Sequence, residues 1–324
     1  MSAHIPELSG AARSVKGDGP HNDESTPLVS LADITEIELT VLRRLREVTI
    51  GDHRSFTHGS GFDFVGLRDW QPGDRPSAID WAQSSLTSFS RLVVREFEQA
   101  STATVVVVAD GSPSTRCGVN GASIAAAVAR AIATIGMSAV FFQDVFGLLT
   151  FEEDPSHLSA VQPRIGRNQV LHCLYAYEHR RGLQEVKSSG TLSSTIGSFM
   201  RRTALIPFVS DFLIADPPSV LRELALLNST HDAFVVLIDA AFAFELPETS
   251  AGWIDAFDVE TGQSRVMSRA AMARMAGRVR TWQDSVERAA RDADLEVVRI
   301  GIDPAKTDLA LSEFVSERRL RKVS

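Results

Sequence analysis

A continuous run of mostly β-branched residues at positions 104–109 constrains the fold of this chain more than any other feature. The run reads Thr-Val-Val-Val-Val-Ala without polar alternation, which predicts a strand that is covered on both faces. Two further apolar segments, residues 204–210 and 233–239, have the same character, and stretches with helical periodicity lie between the three. Strands that alternate with helices predict an α/β fold in which a parallel sheet is flanked by helices.

Composition divides the chain into four segments. Residues 1–30 are rich in Ser, Gly, Pro and acidic residues, so we expect a disordered leader. Residues 31–100 begin with an amphipathic helix and continue as a small β-rich or irregular unit. Residues 101–240 carry the α/β pattern. Residues 241–324 are expected to add a polar insertion, a long helix, a strand and a closing helix on the same sheet.

Within the α/β pattern, helices are predicted at residues 121–135, 168–177, 191–202 and 218–228. The segment 138–151 has Gly147 near its centre and is interpreted as a hairpin or two short strands.

Charge and cysteine content exclude several classes of protein. The net charge is −8 and the basic residues are spread along the chain, which does not favour nucleic acid as a partner. Cys117 and Cys173 are interpreted as buried, reduced thiols, which is typical of a cytoplasmic protein. No apolar stretch approaches about 18 residues, so neither a membrane span nor a secretory signal is expected.

Oxygen-bearing side chains follow the predicted strands at the points where they end. Asp110 ends the first strand, and Ser112 and Ser114 follow it at alternate positions. Asp211 ends the second strand, and Thr191 stands at the start of the preceding helix. Because the carboxyl ends of parallel strands meet at one edge of a sheet, we expect these side chains to converge. Hard oxygens with few carboxylates suit Mg²⁺, with Mn²⁺ or Ca²⁺ as alternatives, and leave the ion able to accept an acidic side chain from another protein.

The pattern Asp-x-Ser-x-Ser after a β-branched run, with a later Thr and a later Asp, resembles the metal-ion-dependent adhesion site of von Willebrand factor type A domains. The resemblance implies a Rossmann-like parallel sheet with metal ligands at Asp110, Ser112, Ser114, Thr191 and Asp211.

A longer resemblance links residues from about 40 to 320 to the bacterial domain-of-unknown-function 58 family. The segments that carry it are 53–61 (HRSFTHGSG), 67–74 (LRDWQPGD), 79–81 (IDW), 94–96 (VRE), 245–247 (ELP), 258–262 (DVETG) and 307–308 (TD). Membership implies pairing with a MoxR-type AAA+ ATPase in chaperone-like assembly or maturation of other complexes. The chain departs from the family pattern at Leu192, where Asp is usual, and at Ala240, where Pro usually follows the strand-end residue Asp239.

The sequence leaves three functions open, and the leading prediction is a non-enzymatic, metal-dependent protein-interaction module. The first alternative is a metal-free scaffold, in which Ser112 and Ser114 cap the following helix and Asp110 binds the turn. The second is a Mg²⁺-dependent phosphatase-like hydrolase with Asp110 as nucleophile. Such enzymes have a second Asp two residues further on, where this chain has Ser112.

The segment 51–81 has two interpretations of its own. Charges of alternating sign surround Trp70 and Trp81, which indicates either a partner-contact surface or a buried aromatic plug. His53 and His58 are interpreted as polar turn residues rather than ligands.

Overall fold

Two units make up the part of the chain that the computed structural model describes. The described residues are 27–51, 63–72, 74, 79–86, 90–98, 102–119, 122–200, 202–245, 253–257 and 264–321. The larger unit contains the described residues up to Leu45 and from Ala103 onward, and the smaller unit contains those of Arg46–Thr102. Most of the predicted leader, both predicted turn histidines and the whole segment 53–61 lie outside the described residues.

Helices and strands alternate along the larger unit, as predicted, and the elements of both units are numbered together in chain order. The helices in chain order are α1 (Leu31–Gly51), α2 (Trp81–Leu86), α3 (Ile124–Phe141), α4 (Arg167–His179), α5 (Leu192–Phe199), α6 (Pro217–Leu227), α7 (Arg269–Asp292) and α8 (Pro304–Arg321). The strands are β1 (Asp63–Asp69), β2 (Val93–Glu98), β3 (Thr104–Asp110), β4 (Gly118–Val119), β5 (Ala122–Ser123), β6 (Val145–Phe151), β7 (Ser159–Ile165), β8 (Gln184–Glu185), β9 (Leu205–Ser210), β10 (Asp232–Ile238), β11 (Trp253–Phe257), β12 (Ser264–Ser268) and β13 (Val297–Ile300).

The main sheet of the larger unit has the strand order β13-β10-β9-β3-β6-β7-β8. The five strands from β13 to β6 are parallel, β7 runs antiparallel to β6, and β8 pairs antiparallel with β7. Strand β3 lies at the centre, where Asp110 is level with Phe151 of β6 and Ala109 with Val209 of β9. The prediction of an α/β fold with a covered, mainly parallel sheet is therefore confirmed.

The uninterrupted apolar character of β3 follows from its two buried faces. Val105, Val107 and Ala109 belong to a core cluster shared with α3 and α4. Val106 and Val108 belong to a second cluster shared with α5 and α6. Because side chains alternate across a strand, a strand between two helical layers needs apolar residues at every position.

Helix α3 is the most apolar helix of the described chain. Among the described residues, it is the helix long and apolar enough to cross a membrane by length and composition. Most of its side chains are buried inside the larger unit, which makes it a core helix of that unit.

The predicted hairpin at residues 138–151 is wrong. Ser138 lies in the last turn of α3, and the chain turns at Gln143, which has a φ of 57°. Gly147 lies inside the continuous strand β6, where a Cβ would come within 2.7 Å of the Pro163 ring. The lack of a side chain at Gly147 permits the close approach of β7. This glycine is therefore needed for packing between strands and does not mark a turn.

The smaller unit contains the antiparallel pair β1–β2 and the short helix α2, in agreement with a small β-rich unit. Arg68 donates two hydrogen bonds of 2.7 Å to the carboxylate of Asp74, which fixes the turn after β1. Trp70 and Trp81 are 38% and 59% exposed, so neither is a deeply buried plug.

The sequence groups helix α1 with the small unit, whereas most of the helix packs in the larger unit. Its buried residues Ile34, Ile37, Val41 and Leu45 join the core cluster of the larger unit. Up to Leu45, the apolar face of α1 therefore packs in the core of the larger unit.

Buried ion pairs hold the closing helix α8 against the larger unit. Asp308 accepts hydrogen bonds from Arg130 at 2.6 and 3.1 Å and from the hydroxyl of Thr134 at 2.9 Å. Arg319 donates to the buried carboxylate of Asp144 at 2.9 and 3.2 Å. Charge-assisted, bidentate bonds of this kind stabilise the packing of α8 and also fix its position.

Replacing Asp308 by Ala is expected to lower the free energy of unfolding by about 3 kcal/mol, because it removes the bidentate partner of a largely buried guanidinium. Urea denaturation followed by circular dichroism measures the change. Lys306→Ala on the same helix breaks only an exposed ion pair and should leave the midpoint nearly unchanged. Equal midpoints for the two variants would contradict a structural role for the buried pair.

Candidate metal site at the carboxyl edge of the sheet

The carboxylate of Asp110 is fully buried at the end of the central strand. Its Oδ1 accepts hydrogen bonds from the backbone N–H of Ser112 at 2.9 Å and from the Ser112 hydroxyl at 2.6 Å. Its Oδ2 accepts a hydrogen bond of 2.6 Å from the hydroxyl of Ser210, the last residue of the neighbouring strand β9. Asp110 thus connects the ends of two adjacent parallel strands.

The loop after Asp110 brings Ser112 and Ser114 together, as their spacing predicts. Both serines are half-buried, and their Oγ atoms lie 3.0 Å apart. A short 3₁₀ turn, Pro113–Arg116, shapes the loop, and the hydroxyl of Thr115 donates to the carbonyl of Ser112 at 2.7 Å. One carboxylate and two hydroxyls therefore form a continuous cluster of oxygen atoms.

The helix that follows this loop has a different cap. Ser123 precedes α3, and its Oγ accepts a hydrogen bond from the backbone N–H of Ala126 at 3.0 Å. The interpretation of Ser112 and Ser114 as caps of that helix is therefore wrong. The other half of that alternative is correct, because Asp110 does bind the turn through the N–H of Ser112.

Asp211 follows β9 and is 1% exposed. Its Oδ1 accepts a hydrogen bond of 2.9 Å from the N–H of Leu213, whereas its buried Oδ2 has no hydrogen-bond partner in the described part of the chain. A buried polar oxygen without a partner is costly, and either a cation or a proton can compensate it. Asp211 therefore presents a free ligand atom inside the molecule.

The two carboxylates raise each other's cost of ionisation. Burial, and secondly the charge of Asp110, raises the pKa of Asp211 to about 7. Burial also raises the pKa of Asp110, against the opposing hydrogen bonds from Ser112 and Ser210. Arg180 is the cation that acts on Asp110, but its guanidinium donates to the carbonyl of Gly111 and to Glu152. Among the described residues, the pair consequently lacks a direct counter-charge, which a divalent cation would supply.

Two residues that position the site were not found from the sequence. The hydroxyl of Tyr177, on α4, donates a hydrogen bond of 2.8 Å to the carbonyl of Asp110, and burial raises the pKa of this phenol. The hydroxyl of Ser210 binds Asp110 Oδ2 and also accepts from the N–H of Phe212 at 2.9 Å. The sequence pattern indicates only a helix position for Tyr177 and a strand position for Ser210.

Thr191, the fifth predicted ligand, has a local role in the structure. Its side chain caps α5, accepting from the N–H of Ser194 at 3.3 Å, while the Ser194 hydroxyl accepts from the N–H of Thr191 at 3.2 Å. Its hydroxyl also interacts with Ser193 and Glu223. These bonds form a capping box and do not include the cluster around Asp110.

The third strand-end carboxylate, Asp239, has a cation beside it. Arg299 of β13 lies 3.3 Å from its Oδ2, and the N–H of Ala241 donates to its Oδ1 at 3.0 Å. The edge of the sheet therefore offers two carboxylates for an ion. Within the described ranges, no group of three or more His, Cys, Asp or Glu side chains is arranged to hold a metal.

A cavity of about 560 Å³ opens beside the loop of Asp110. Gly111, Tyr177 and Arg180 form the side nearest the cluster. Its acidic lining residues are Glu152, Glu153, Asp154 and Glu185. A ligand that approaches the oxygen cluster from this side passes a surface on which acidic side chains predominate.

Comparisons with known proteins place the chain among uncharacterized relatives. A family model described as "Protein of unknown function DUF58" matches residues 66–287. Uncharacterized proteins of Mycobacterium tuberculosis and Mycobacterium bovis are 26% identical over 243 residues, which is 73% of this chain and 73% of each relative.

Two solved structures are also similar. They are an aerotolerance-related membrane protein from Bacteroides fragilis, which covers 66% of this chain and 99% of its own, and BatB from Bacteroides thetaiotaomicron, with 68% and 99%. Each is 14% identical with a TM-score of 0.39, which is too low to support an argument about function.

Asp211→Asn should change the pH dependence of stability in chelator-treated protein. Between pH 4 and pH 7 the native state keeps a proton on Asp211 that the unfolded state loses, so this group makes the native state less stable as pH rises. The variant should therefore gain at least about 1 kcal/mol relative to the wild type between pH 5 and pH 8. Thermal or urea unfolding at several pH values measures the difference.

Asp303→Asn is the matched control, because a hydrogen bond from the side chain of Lys306 lowers the pKa of that carboxyl and Lys306 stays charged over this range. Its difference from the wild type should stay constant over the same range. A constant difference for Asp211→Asn as well would show that Asp211 is ionised throughout.

Proposed function

This chain belongs to the DUF58 family of proteins of unknown function, and we propose that it is a non-enzymatic, metal-dependent protein-interaction module with a von Willebrand factor A-like site. Asp110, Ser112, Ser114 and Asp211 would hold a divalent cation, Mg²⁺ or alternatively Mn²⁺ or Ca²⁺. When bound, the ion would supply an electron-poor centre for a carboxylate of a partner protein. The observation that carries the proposal is the buried Oδ2 of Asp211, which has no hydrogen-bond partner and lies close enough to Asp110 for the two charges to interact.

The donor set fits a hard cation. The cluster contains carboxylate and hydroxyl oxygens, which Mg²⁺ prefers, and two buried carboxylates supply the negative charge that stabilises it. Two carboxylates only balance the charge of the ion, and the two hydroxyl ligands are neutral, so coordination positions remain for a further oxygen. An open position favours a ligand from outside such as an acidic side chain, as the adhesion-site resemblance implies.

The same hydrogen bonds argue against a hydrolase. A nucleophilic carboxylate needs an oxygen that reaches the substrate, whereas Asp110 is fully buried. Both of its oxygens accept hydrogen bonds from serine hydroxyls, and the position of the second catalytic Asp is occupied by Ser112.

The partner that we propose is a MoxR-type AAA+ ATPase in the cytoplasm, acting with this chain in assembly or maturation of other complexes. Family membership supports this proposal by analogy. The acidic surface beside the site adds a physical requirement, namely that the partner's carboxylate is accompanied by basic or neutral residues on the side of Glu152 and Glu185.

A metal-free scaffold is the second candidate function. It is favoured by the hydrogen bonds from Ser112, Ser210 and Tyr177, which hold the Asp110 residue in place without an ion. Binding of the partner in the presence of a chelator distinguishes the two functions.

Replacing both Ser112 and Ser114 by Ala is expected to abolish saturable Mg²⁺ binding in isothermal titration calorimetry, because it removes the two hydroxyl ligands. Both residues lie in a loop, so the circular dichroism spectrum should not change. The matched control is Ser198→Ala with Ser229→Ala, two exposed serines that donate only to carbonyls of nearby residues. A wild-type isotherm for the Ser112/Ser114 variant would refute the proposed ligand set.

Binding to a MoxR-type ATPase should depend on the same ion. Surface plasmon resonance with Mg²⁺ and with EDTA should show at least a tenfold loss of affinity in EDTA, which corresponds to about 1.4 kcal/mol. Asp110→Ala should lose the same affinity in Mg²⁺. Binding that is indifferent to both changes would favour the metal-free scaffold.

Thr191→Ala is expected to lower the free energy of unfolding by about 1 kcal/mol, because it removes the cap of α5. Mg²⁺ affinity should stay at the wild-type value, since the Thr191 hydroxyl is engaged with Ser194 and Glu223. Thr191→Ser keeps a hydroxyl and serves as control. Weaker Mg²⁺ binding by Thr191→Ala, restored in Thr191→Ser, would instead return Thr191 to the ligand set.

A further inference from the structure

The direction of the Asp211 carboxylate depends on the backbone that carries it. Its side chain has a single hydrogen bond, from the N–H of Leu213 two residues further on. That bond lies within the same bend of the chain, so it orients the carboxylate relative to the bend only. The position of the bend itself must be fixed from elsewhere.

Gln283 fixes this bend from helix α7. The side chain is fully buried, and its Nε2 donates hydrogen bonds of 2.8 Å to the carbonyl of Asp211 and 2.7 Å to the carbonyl of Ile238. Its Oε1 accepts from the N–H of Ala240 at 3.3 Å and lies 3.5 Å from a guanidinium nitrogen of Arg299. One amide group therefore ties together the carboxyl ends of β9 and β10.

The preceding residue on α7 holds the next carbonyl. Trp282 Nε1 donates a hydrogen bond of 2.9 Å to the carbonyl of Phe212. Phe212 has a φ of 56°, a left-handed conformation that a residue with a large side chain adopts only where its surroundings hold it. Two consecutive residues of α7 thus hold two consecutive carbonyls of the bend.

We infer that Gln283, supported by Trp282, is a positioning residue of the metal site, and that α7 sets the affinity of the site for a divalent cation. The inference rests on the proposed function, because it concerns the same ion. Gln283 does not touch the ion. It holds the backbone so that the free Oδ2 of Asp211 keeps its place next to Asp110.

The chemistry of the amide explains why glutamine occupies this position. A buried side chain that donates twice and accepts at the same time requires an amide, since carboxylates accept only and ammonium groups donate only. The partners also determine the orientation of the amide, because two carbonyls need the NH₂ group and the N–H of Ala240 needs the oxygen.

Calorimetric titration of the full chain with Mg²⁺ tests the inference, using the metal alone as the probe. Gln283→Met keeps the length and volume of the side chain but cannot donate, and its Mg²⁺ affinity should fall about tenfold, as for other residues that orient metal ligands. Trp282→Phe keeps an aromatic ring, loses the bond to Phe212, and should weaken binding by a smaller factor.

The control is Val286→Ala, a buried position one turn further along α7 that packs in the core and has no bond to the bend. It should lower the denaturation midpoint and leave Mg²⁺ affinity unchanged, which separates positioning from general stability. Wild-type affinity in a folded Gln283→Met variant would overturn the inference while leaving the metal site intact. If Gln283→Met does not fold, unchanged affinity in Trp282→Phe overturns it.

Absence of Mg²⁺ binding by the wild type, by contrast, overturns the proposed function and this inference together.

Discussion

The burial of a carboxylate at the end of the central strand is the constraint around which the site is organised. A charged group that leaves water requires compensation from hydrogen bonds or an opposite charge. Asp110 receives that compensation from serine hydroxyls on both sides, from Ser112 in its own loop and Ser210 on the next strand. Asp211 receives less, since one of its oxygens has no hydrogen bond. The unequal compensation of two neighbouring carboxylates is the physical basis for expecting a cation there.

The sequence predicts the parts of this site that depend on spacing along the chain. The covered strand and the alternation of Asp110, Ser112 and Ser114 are local patterns; the structure contains the strand, and the three side chains lie in one chain of hydrogen bonds. Local patterns also mislead, as at Gly147, where a close approach between strands has the same signal as a turn. Hydroxyl residues three apart, Thr191 and Ser194, are also the pattern of a capping box, which the structure contains at the start of α5.

Contacts between distant segments were not predictable in the same way. Tyr177 is 67 residues from the carbonyl it binds, and Gln283 is 72 residues from Asp211. No periodicity or motif connects such positions, because the fold alone brings them together. Both are polar residues on otherwise amphipathic helices, where a polar side chain usually faces solvent. A buried polar residue on the inner face of a helix is recognisable only once the facing elements are known.

The ion pairs of α8 have a consequence for the order in which the protein forms. Asp144 and Asp232 belong to the sheet region, whereas their partners Arg319 and Arg318 are among the last residues described. During synthesis, the core strands leave the ribosome well before these arginines. At that stage the two carboxylates do not yet have their ion-pair partners. The two ion pairs therefore form only after α8 has been synthesised. Docking of α8 is thus the step that neutralises these two largely buried carboxylates.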